Sequence, residues 1–174
     1  MKKIKIVLVA LVLTAGFALQ SCSSSDDSSS GGGDCPNLAS QVAEGNFRGT
    51  AFTSPGGVYK DFSFGGDPLW RIDLYVKDRT GGSCLFPEFE GTQDVILFSI
   101  PSLEPQTITF SETGENTLNF NRIVGNVTEV ELAVCGTLNI TSYNSNTGEL
   151  QGNIVARGQD GSVVNGNFTL DLCN

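Results

Sequence analysis

Apolar and polar residues alternate along most of the chain after residue 35. The alternation is clearest over 69–78, 127–142 and 162–172, where one face of each segment is apolar and the other mainly polar. A period of two residues is typical of antiparallel strands that bury one face. Glycine, asparagine and proline separate these segments, as tight turns between strands require.

The pattern predicts about nine strands and no helix. We expect them at 45–53, 58–64, 69–78, 93–100, 106–111, 117–124, 127–142, 149–158 and 162–172. The long segment 127–142 is expected to break or bulge near Cys135-Gly136, and short connections favour a meander for the last three strands. We therefore predict an all-β fold, either a single antiparallel β-sandwich or a flattened up-and-down barrel.

The first 21 residues have the composition of a secretory signal peptide. Three lysines within the first five residues precede an uncharged stretch at 6–19, which is shorter than the about 20 residues that cross a bilayer as a helix. The segment Leu19-Gln20-Ser21-Cys22 resembles the lipobox of bacterial lipoproteins. The resemblance implies that Cys22 carries diacylglycerol and an N-acyl chain such as palmitate. The alternative is a secreted protein cleaved near Ala18.

Residues 22–34 predict a lipidated cysteine followed by a disordered tether. Serine, glycine and aspartate make up all of 23–34, a composition that does not support a packed core. A serine run followed by Asp26-Asp27 resembles the signal that exports Bacteroidetes lipoproteins to the outer face of the outer membrane. We expect an outer-membrane anchor and a surface-exposed protein, with a periplasm-facing one as the alternative. One β-rich domain then occupies 35–174.

Charge and composition exclude several classes of function. Seven basic and 19 acidic residues follow Cys22, which gives the mature chain a formal charge of −12. Such a charge argues against a nucleic-acid partner and against electrostatic docking to anionic lipid. The chain has no histidine, so Ser-His-Asp and Cys-His catalysis and histidine-ligated metals are excluded. We predict no cofactor and no metal site.

Paired acidic residues leave one catalytic possibility open. The pairs Glu88/Glu90 and Glu129/Glu131 each project to one side of an extended chain, and two carboxylates suffice for glycoside hydrolysis. A solvated strand face explains both pairs equally well. A carboxylate-based hydrolase is therefore kept only as a minor alternative, and we predict that the protein is not an enzyme.

Four cysteines remain when Cys22 is set aside: Cys35, Cys84, Cys135 and Cys173. An even number in an exported domain predicts two disulfides, for which three connectivities exist. We favour Cys35–Cys173 with Cys84–Cys135, because the first bond would join the two ends of the domain. The pairing Cys35–Cys84 with Cys135–Cys173 is the next candidate. In a meander, however, Cys135 lies near Arg157 and far from Cys173.

Three segments resemble small lipoproteins of Bacteroidetes, especially flavobacterial ones, that carry β-rich domains of unknown function. They are Gly45-Asn46-Phe47-Arg48-Gly49-Thr50-Ala51-Phe52, the stretch from Cys135-Gly136-Thr137-Leu138 to Gly148-Glu149-Leu150-Gln151-Gly152-Asn153-Ile154, and Val164-Asn165-Gly166-Asn167-Phe168. The resemblance implies a small surface β-domain and brings no catalytic residues with it.

The loop at 80–91 departs from the strand-and-turn pattern, because it carries three large apolar residues. Apolar side chains on a loop either plug the end of a core or contact a partner. In the first interpretation the loop is part of the core. In the second, Leu85, Phe86 and Phe89 form an anchor, with Glu88 and Glu90 as a polar rim.

These observations favour a non-enzymatic binding or structural accessory module, held at the membrane by Cys22. Its partner would be a neighbouring outer-membrane protein or an extracellular polymer. A lipocalin-like barrel that carries a small apolar ligand is the main alternative, and it requires an internal cavity of about 300–1,000 Å³.

Overall fold

Twelve strands and no helix make up the described part of the protein, which in this computed structural model comprises residues 35–125 and 127–173. The predicted signal peptide, Cys22 and the tether lie outside the described residues. The strands are β1 (Glu44–Phe47), β2 (Thr50–Thr53), β3 (Gly56–Asp61), β4 (Trp70–Tyr75), β5 (Gly81–Gly82), β6 (Pro87–Glu88), β7 (Gln93–Ile100), β8 (Gln106–Ser111), β9 (Leu118–Val124), β10 (Val127–Asn144), β11 (Glu149–Gly158) and β12 (Val163–Leu172).

Seven strands close into a barrel in the order β11, β10, β9, β7, β4, β3 and β12, and β12 pairs again with β11. The barrel is mixed, because Leu170–Leu172 of β12 pair in parallel with Gly57–Tyr59 of β3. The other barrel pairs are antiparallel. The all-β class, the barrel alternative and the meander β10–β11–β12 are thus confirmed. The predicted sandwich, a purely up-and-down topology and the count of about nine strands are wrong, because β12 pairs in parallel with β3 and twelve strands are present in the described residues.

The parallel pair arises from a hairpin that the sequence pattern concealed. The predicted strand 45–53 is two strands, β1 and β2, joined by a tight turn at Arg48 (φ 48°) and Gly49 (φ 84°). Two central residues with positive φ are the mark of a type I′ turn. Strand β1 runs antiparallel to β12, so the reversed chain continues through β2 into β3 parallel to β12.

Strand β10 is the longest, and it contacts three neighbours. Its first part pairs with β9, the part around Leu138 pairs with β8, and its opposite edge pairs with β11. The register shifts between Ala133 and Cys135 and again between Ile140 and Ser142, which confirms the predicted bulge near Cys135-Gly136. The bulge bends the strand at the point where β8 replaces β9 as its neighbour.

Apolar side chains fill the barrel interior. The largest fully buried ones are Tyr59, Phe47, Phe98, Phe110, Phe120, Ile72, Leu74, Ile96, Ile100, Leu118, Leu138 and Leu150. Edge-to-face ring pairs connect them, with centroids 5.6 Å apart for Phe98–Phe110 and 6.0 Å for Phe47–Phe120. Such pairs contribute about 0.5–1.5 kcal/mol beyond the area they bury.

Charged side chains close one end of this core. Arg122 binds Asp94 through two hydrogen bonds of 2.9 and 3.1 Å, and its guanidinium lies 5.5 Å from the ring centroid of Phe47. The fully buried Glu131 accepts hydrogen bonds from the backbone N–H of Asp160 (2.8 Å) and of Ser162 (3.0 Å). Buried carboxylates are tolerated when they are hydrogen-bonded in this way.

The segment 35–43 crosses the outside of β12 and is held there by two asparagines. The backbone N–H of Ala39 donates to Asn165 Oδ1 (2.8 Å), and Asn167 Nδ2 donates to the carbonyl of Ser40 (2.6 Å). Between them, Gly166 has φ +135° and no space for a Cβ, which would lie 2.6 Å from the carbonyl oxygen of Gln41. Close approach of two backbones is therefore the reason for the Asn-Gly-Asn sequence.

The four cysteines form two disulfides, as predicted, but with the third connectivity. The bonds are Cys35–Cys135, with Cα atoms 5.7 Å apart, and Cys84–Cys173, with Cα atoms 5.6 Å apart. Cys135 does pair with Arg157 across β10 and β11, so it is remote from Cys173 as expected. The favoured pairing is nevertheless wrong, because the segment 35–43 brings Cys35 to β10 instead of to the C-terminal end.

We expect Gly166→Ala to destabilise the protein by about 3 kcal/mol or more, since the new methyl group meets backbone atoms that cannot rotate away. Gly161→Ala is the matched control, because Gly161 also has positive φ (+89°) but nothing within 4 Å of its Cβ position. It should cost only about 1 kcal/mol. Chemical denaturation measures both, and equal losses would contradict the packing argument.

Candidate functional site

The loop at 80–91 lies against the outer wall of the barrel. It contains the short hairpin of β5 and β6, whose turn is supported by a 2.8 Å hydrogen bond from Arg79 Nη2 to the carbonyl of Gly82. The Cys84–Cys173 disulfide joins the middle of the loop to the residue after β12. The loop is thus fixed at its base and at its centre, and it covers strands β4 and β7 rather than an end of the core.

The three apolar residues of the loop have different environments. Phe89 is partly buried and packs edge-to-face on Tyr75, with ring centroids 5.4 Å apart. The side chains of Leu85 and Phe86 are exposed, with 52% and 79% of their surface accessible. Of the three, only Phe89 therefore packs as part of a core. It lies against a small apolar cluster outside the barrel that includes Tyr75. Leu85 and Phe86 lie largely in solvent.

The two loop carboxylates are exposed and flank the base of the hairpin. Glu88 lies opposite Gly81 in the β5–β6 pair, and Glu90 follows Phe89 toward β7. Lys77 Nζ donates to the carbonyl of Glu90 (2.9 Å), which fixes the backbone there. Both side chains are exposed beside Leu85 and Phe86, and their role as a polar rim stays a prediction.

A cavity of about 120 Å³ lies between the loop and the barrel wall. It is lined by aliphatic, charged and amide side chains: Leu85, Pro87, Val95, Leu97, Ile123, Lys60, Arg71, Asp73, Gln93 and Asn121. The loop residues Leu85 and Pro87 form part of its wall, so the exposed loop tip and this cavity belong to one site.

Two cations share one buried carboxylate in the cavity. Asp73 is only 5% exposed, and its oxygens lie 3.1 Å from Lys60 Nζ and 2.8 Å from Arg71 Nε. The three groups sum to a charge of +1 on a chain that is otherwise strongly acidic. Asn121 lines the same cavity, and its buried Oδ1 has no hydrogen-bond partner among the residues described.

The second pair of acidic residues does not form a site. Glu131 is buried, and its carboxylate holds the turn between β11 and β12, whereas Glu129 is half exposed and lies 3.4 Å from Arg48. Within residues 35–125 and 127–173, no group of three or more acidic or cysteine side chains could hold a metal ion.

Sequence reasoning found the loop but missed the charged wall beneath it. Lys60, Arg71 and Asp73 occupy the outward positions of predicted strands, where charged residues are ordinarily solvated. Only the loop that covers them makes them part of a cavity. The alternation of Arg71 and Asp73 with apolar neighbours correctly placed both residues on the outer face of β4. It did not indicate that the loop at 80–91 covers that face.

Comparison with protein-family models, with curated proteins and with solved structures finds no match to this chain. In the described part of the chain no helix is long and apolar enough to cross a membrane.

We expect Phe86→Ala to leave stability unchanged, because this side chain is mostly in solvent. Phe89→Ala should lower the free energy of unfolding by about 1–2 kcal/mol, less than for a fully buried phenylalanine, since it loses the contact with Tyr75. Thermal unfolding of the two variants measures the difference. A similar loss for both would mean that the whole loop is core.

Burial raises the pKa of the Tyr75 hydroxyl, and the positive charge of Arg79 opposes this only in part. Burial also raises the pKa of Tyr59, and Tyr143 adds to that effect. The folded state therefore holds these protons more tightly than the unfolded state does. The stability that results is present below about pH 10 and is lost as the pH rises from there through the folded-state pKa values.

We expect Tyr75→Phe to reduce this alkaline loss of stability and to be neutral or slightly stabilising at pH 7. The reason is that Tyr75 Oη is buried and makes no well-formed hydrogen bond in the described chain, although Arg79 lies close to it; a buried hydroxyl without a partner costs about 1–3 kcal/mol. Unfolding free energies at pH 7 and pH 11 measure both effects. A variant that is less stable at pH 7 by more than 1 kcal/mol, a threshold set by about one hydrogen bond, would contradict this account.

Proposed function

We propose that this protein is a lipid-anchored, non-enzymatic binding module of the bacterial outer membrane, which contacts a neighbouring envelope protein through the loop at 80–91. The observation that carries the proposal is the pair Leu85 and Phe86, exposed on a loop that a disulfide holds in place. Exposed aromatic and aliphatic residues are typical anchors of protein interfaces. A constrained loop loses little entropy when it binds.

The position of the loop relative to the start of the domain supports this proposal. Cys35 is bonded to Cys135 on β10, whereas the loop covers β4 and β7. In the barrel order, β10 and β4 are separated by two strands on one side and by three on the other. The strands β4 and β7 beneath the loop are therefore not the strand to which Cys35 is bonded.

The lipid anchor rests on the sequence alone. The segment Leu19-Gln20-Ser21-Cys22 is the basis of the proposed acylation, and the serine-rich stretch with Asp26-Asp27 is the basis of the proposed surface exposure. Two or more acyl chains anchor a protein stably at a membrane. Kinship with the β-rich lipoproteins of Bacteroidetes is part of the same proposal.

The packing of the barrel favours a binding module over a carrier. Its interior holds the side chains of Phe98, Phe110 and Phe120 in direct contact with their neighbours, whereas a carrier needs an apolar cavity in that place. A hydrolase that used Glu129 and Glu131 is likewise disfavoured, because the carboxylate of Glu131 is occupied by backbone N–H groups.

We expect a photoreactive amino acid at position 86 to cross-link one partner protein on intact cells. Phe64 provides the matched control, since it is 92% exposed but lies on the β3–β4 connection. Cross-linking from position 86 and not from position 64 is the expected result, as identified by mass spectrometry. Equal labelling from both positions, or none from position 86, would contradict the proposal.

The proposed acylation of Cys22 is tested separately, in the same cells. Cys22→Ala should release the protein from the membrane fraction and abolish the cross-link, and mass spectrometry of the native N-terminal peptide should find acyl groups on Cys22. An unmodified Cys22 would refute the anchor but would leave the loop contact to be judged from position 86.

A further inference from the structure

The cavity beneath the loop has an excess of positive charge. Arg71 uses Nε to bind Asp73, and its side chain is 34% exposed, so its Nη groups are open to a ligand. Lys60 forms one ion pair, also with Asp73. An ion of negative charge is the natural complement of such a group, because charge-assisted hydrogen bonds to guanidinium and ammonium are strong.

An amide on the adjacent strand adds a second requirement. Asn121 lies on β9 and contributes a buried Oδ1 that accepts no hydrogen bond within the described chain. An unpaired buried carbonyl oxygen costs about 1–3 kcal/mol, and a ligand that offers an N–H would remove this cost. The ligand should therefore combine an anionic acceptor with a nearby donor.

The walls and the volume define the remainder of the ligand. Leu85, Leu97 and Ile123 are aliphatic, so they suit an apolar side chain better than a ring stacked on an aromatic face. The volume of about 120 Å³ is well below the about 300–1,000 Å³ of pockets that enclose whole small molecules. The cavity accepts one end group of a larger partner.

We infer that this cavity binds the C-terminal residue of a partner polypeptide. Arg71 and Lys60 would bind its terminal carboxylate, Asn121 Oδ1 would accept the N–H of the same residue, and the aliphatic wall would contact a small apolar side chain. Capture of a terminal carboxylate is a recurrent mode of peptide recognition. The inference rests on the proposed function, since it names the part of the envelope protein that the loop site holds.

Titration of the isotopically labelled full chain with N-acetyl-L-valine tests the inference. We expect saturable NMR shifts of the Asn121 side-chain amide and of the Leu97 and Ile123 methyl groups. N-acetyl-L-valinamide lacks the carboxylate, so its affinity should be lower than that of N-acetyl-L-valine by about tenfold or more. A tenfold loss is usual for one charge-assisted hydrogen bond. Equal binding of the two, or no saturable shift, would overturn the inference.

Two further probes distinguish other sources of a carboxylate. Acetate supplies the anion without the N–H and the side chain, and glucuronate supplies it on a sugar. Both should bind more weakly than N-acetyl-L-valine. Acetate binding as tightly would reduce the site to a simple anion site, and tighter binding of glucuronate would point to an acidic polysaccharide. Either result would overturn the peptide assignment.

Matched variants locate the binding. Asn121→Asp places a negative charge in the cavity and should weaken N-acetyl-L-valine binding about tenfold or more. Asn119→Asp is the control, because Asn119 lies two residues earlier on β9, also has a buried Oδ1 without a partner, and lines a different cavity. It should leave binding unchanged, and equal effects of both variants would place the ligand elsewhere.

The cross-linking experiment separates failure of this inference from failure of the proposed function. If position 86 cross-links a partner and Asn121→Asp leaves the yield unchanged, the loop contact stands and the C-terminal assignment is wrong. If N-acetyl-L-valine binds but position 86 cross-links nothing, the cavity site stands and the proposed loop contact is wrong.

Discussion

Parallel pairing of Leu170–Leu172 with Gly57–Tyr59 closes the barrel, and the other strands are arranged around that closure. One edge of β12 is divided between β1, near its start, and β3, near its end. Because backbone N–H and C=O groups of a buried strand must be paired, both partners are needed along this edge. The turn between β1 and β2 reverses the chain, so that β1 is antiparallel to β12 and β3, which follows β2, is parallel to it. The two strands together complete the barrel wall and enclose the interior.

Covalent bonds and polar contacts supplement packing in the two segments that lie outside the barrel strands. The segment 35–43 is bonded through Cys35 to β10 and held by Asn165 and Asn167. The loop at 80–91 is bonded through Cys84 to Cys173. Ala43 of the first segment is buried in the core and Phe89 of the second packs on Tyr75, and in each segment a disulfide adds a covalent constraint. The candidate site exists because the second of these segments covers a charged wall.

Local patterns predicted the strands well where they are long and regular. The strands near Gln93–Ile100, Gln106–Ser111 and Glu149–Gly158 lie where the period of two placed them, and the bulge at Cys135 was signalled by its neighbouring glycine. The hairpin at Arg48-Gly49 was missed because the alternation continues across its turn. The segment 80–91 lies outside the barrel strands, as its pattern indicated, but its division into a packed Phe89 and exposed Leu85 and Phe86 depends on contact with Tyr75.

The sequence by itself determined the all-β class, the meander of the last three strands and the existence of two disulfides. Those features follow from periodicity and composition, which act over a few residues. Tertiary structure decided the closure, the pairing of the cysteines and the cavity at Asp73, since each brings together residues far apart in the chain. Alternation specifies which face a residue occupies, but it does not specify which distant segment will cover that face.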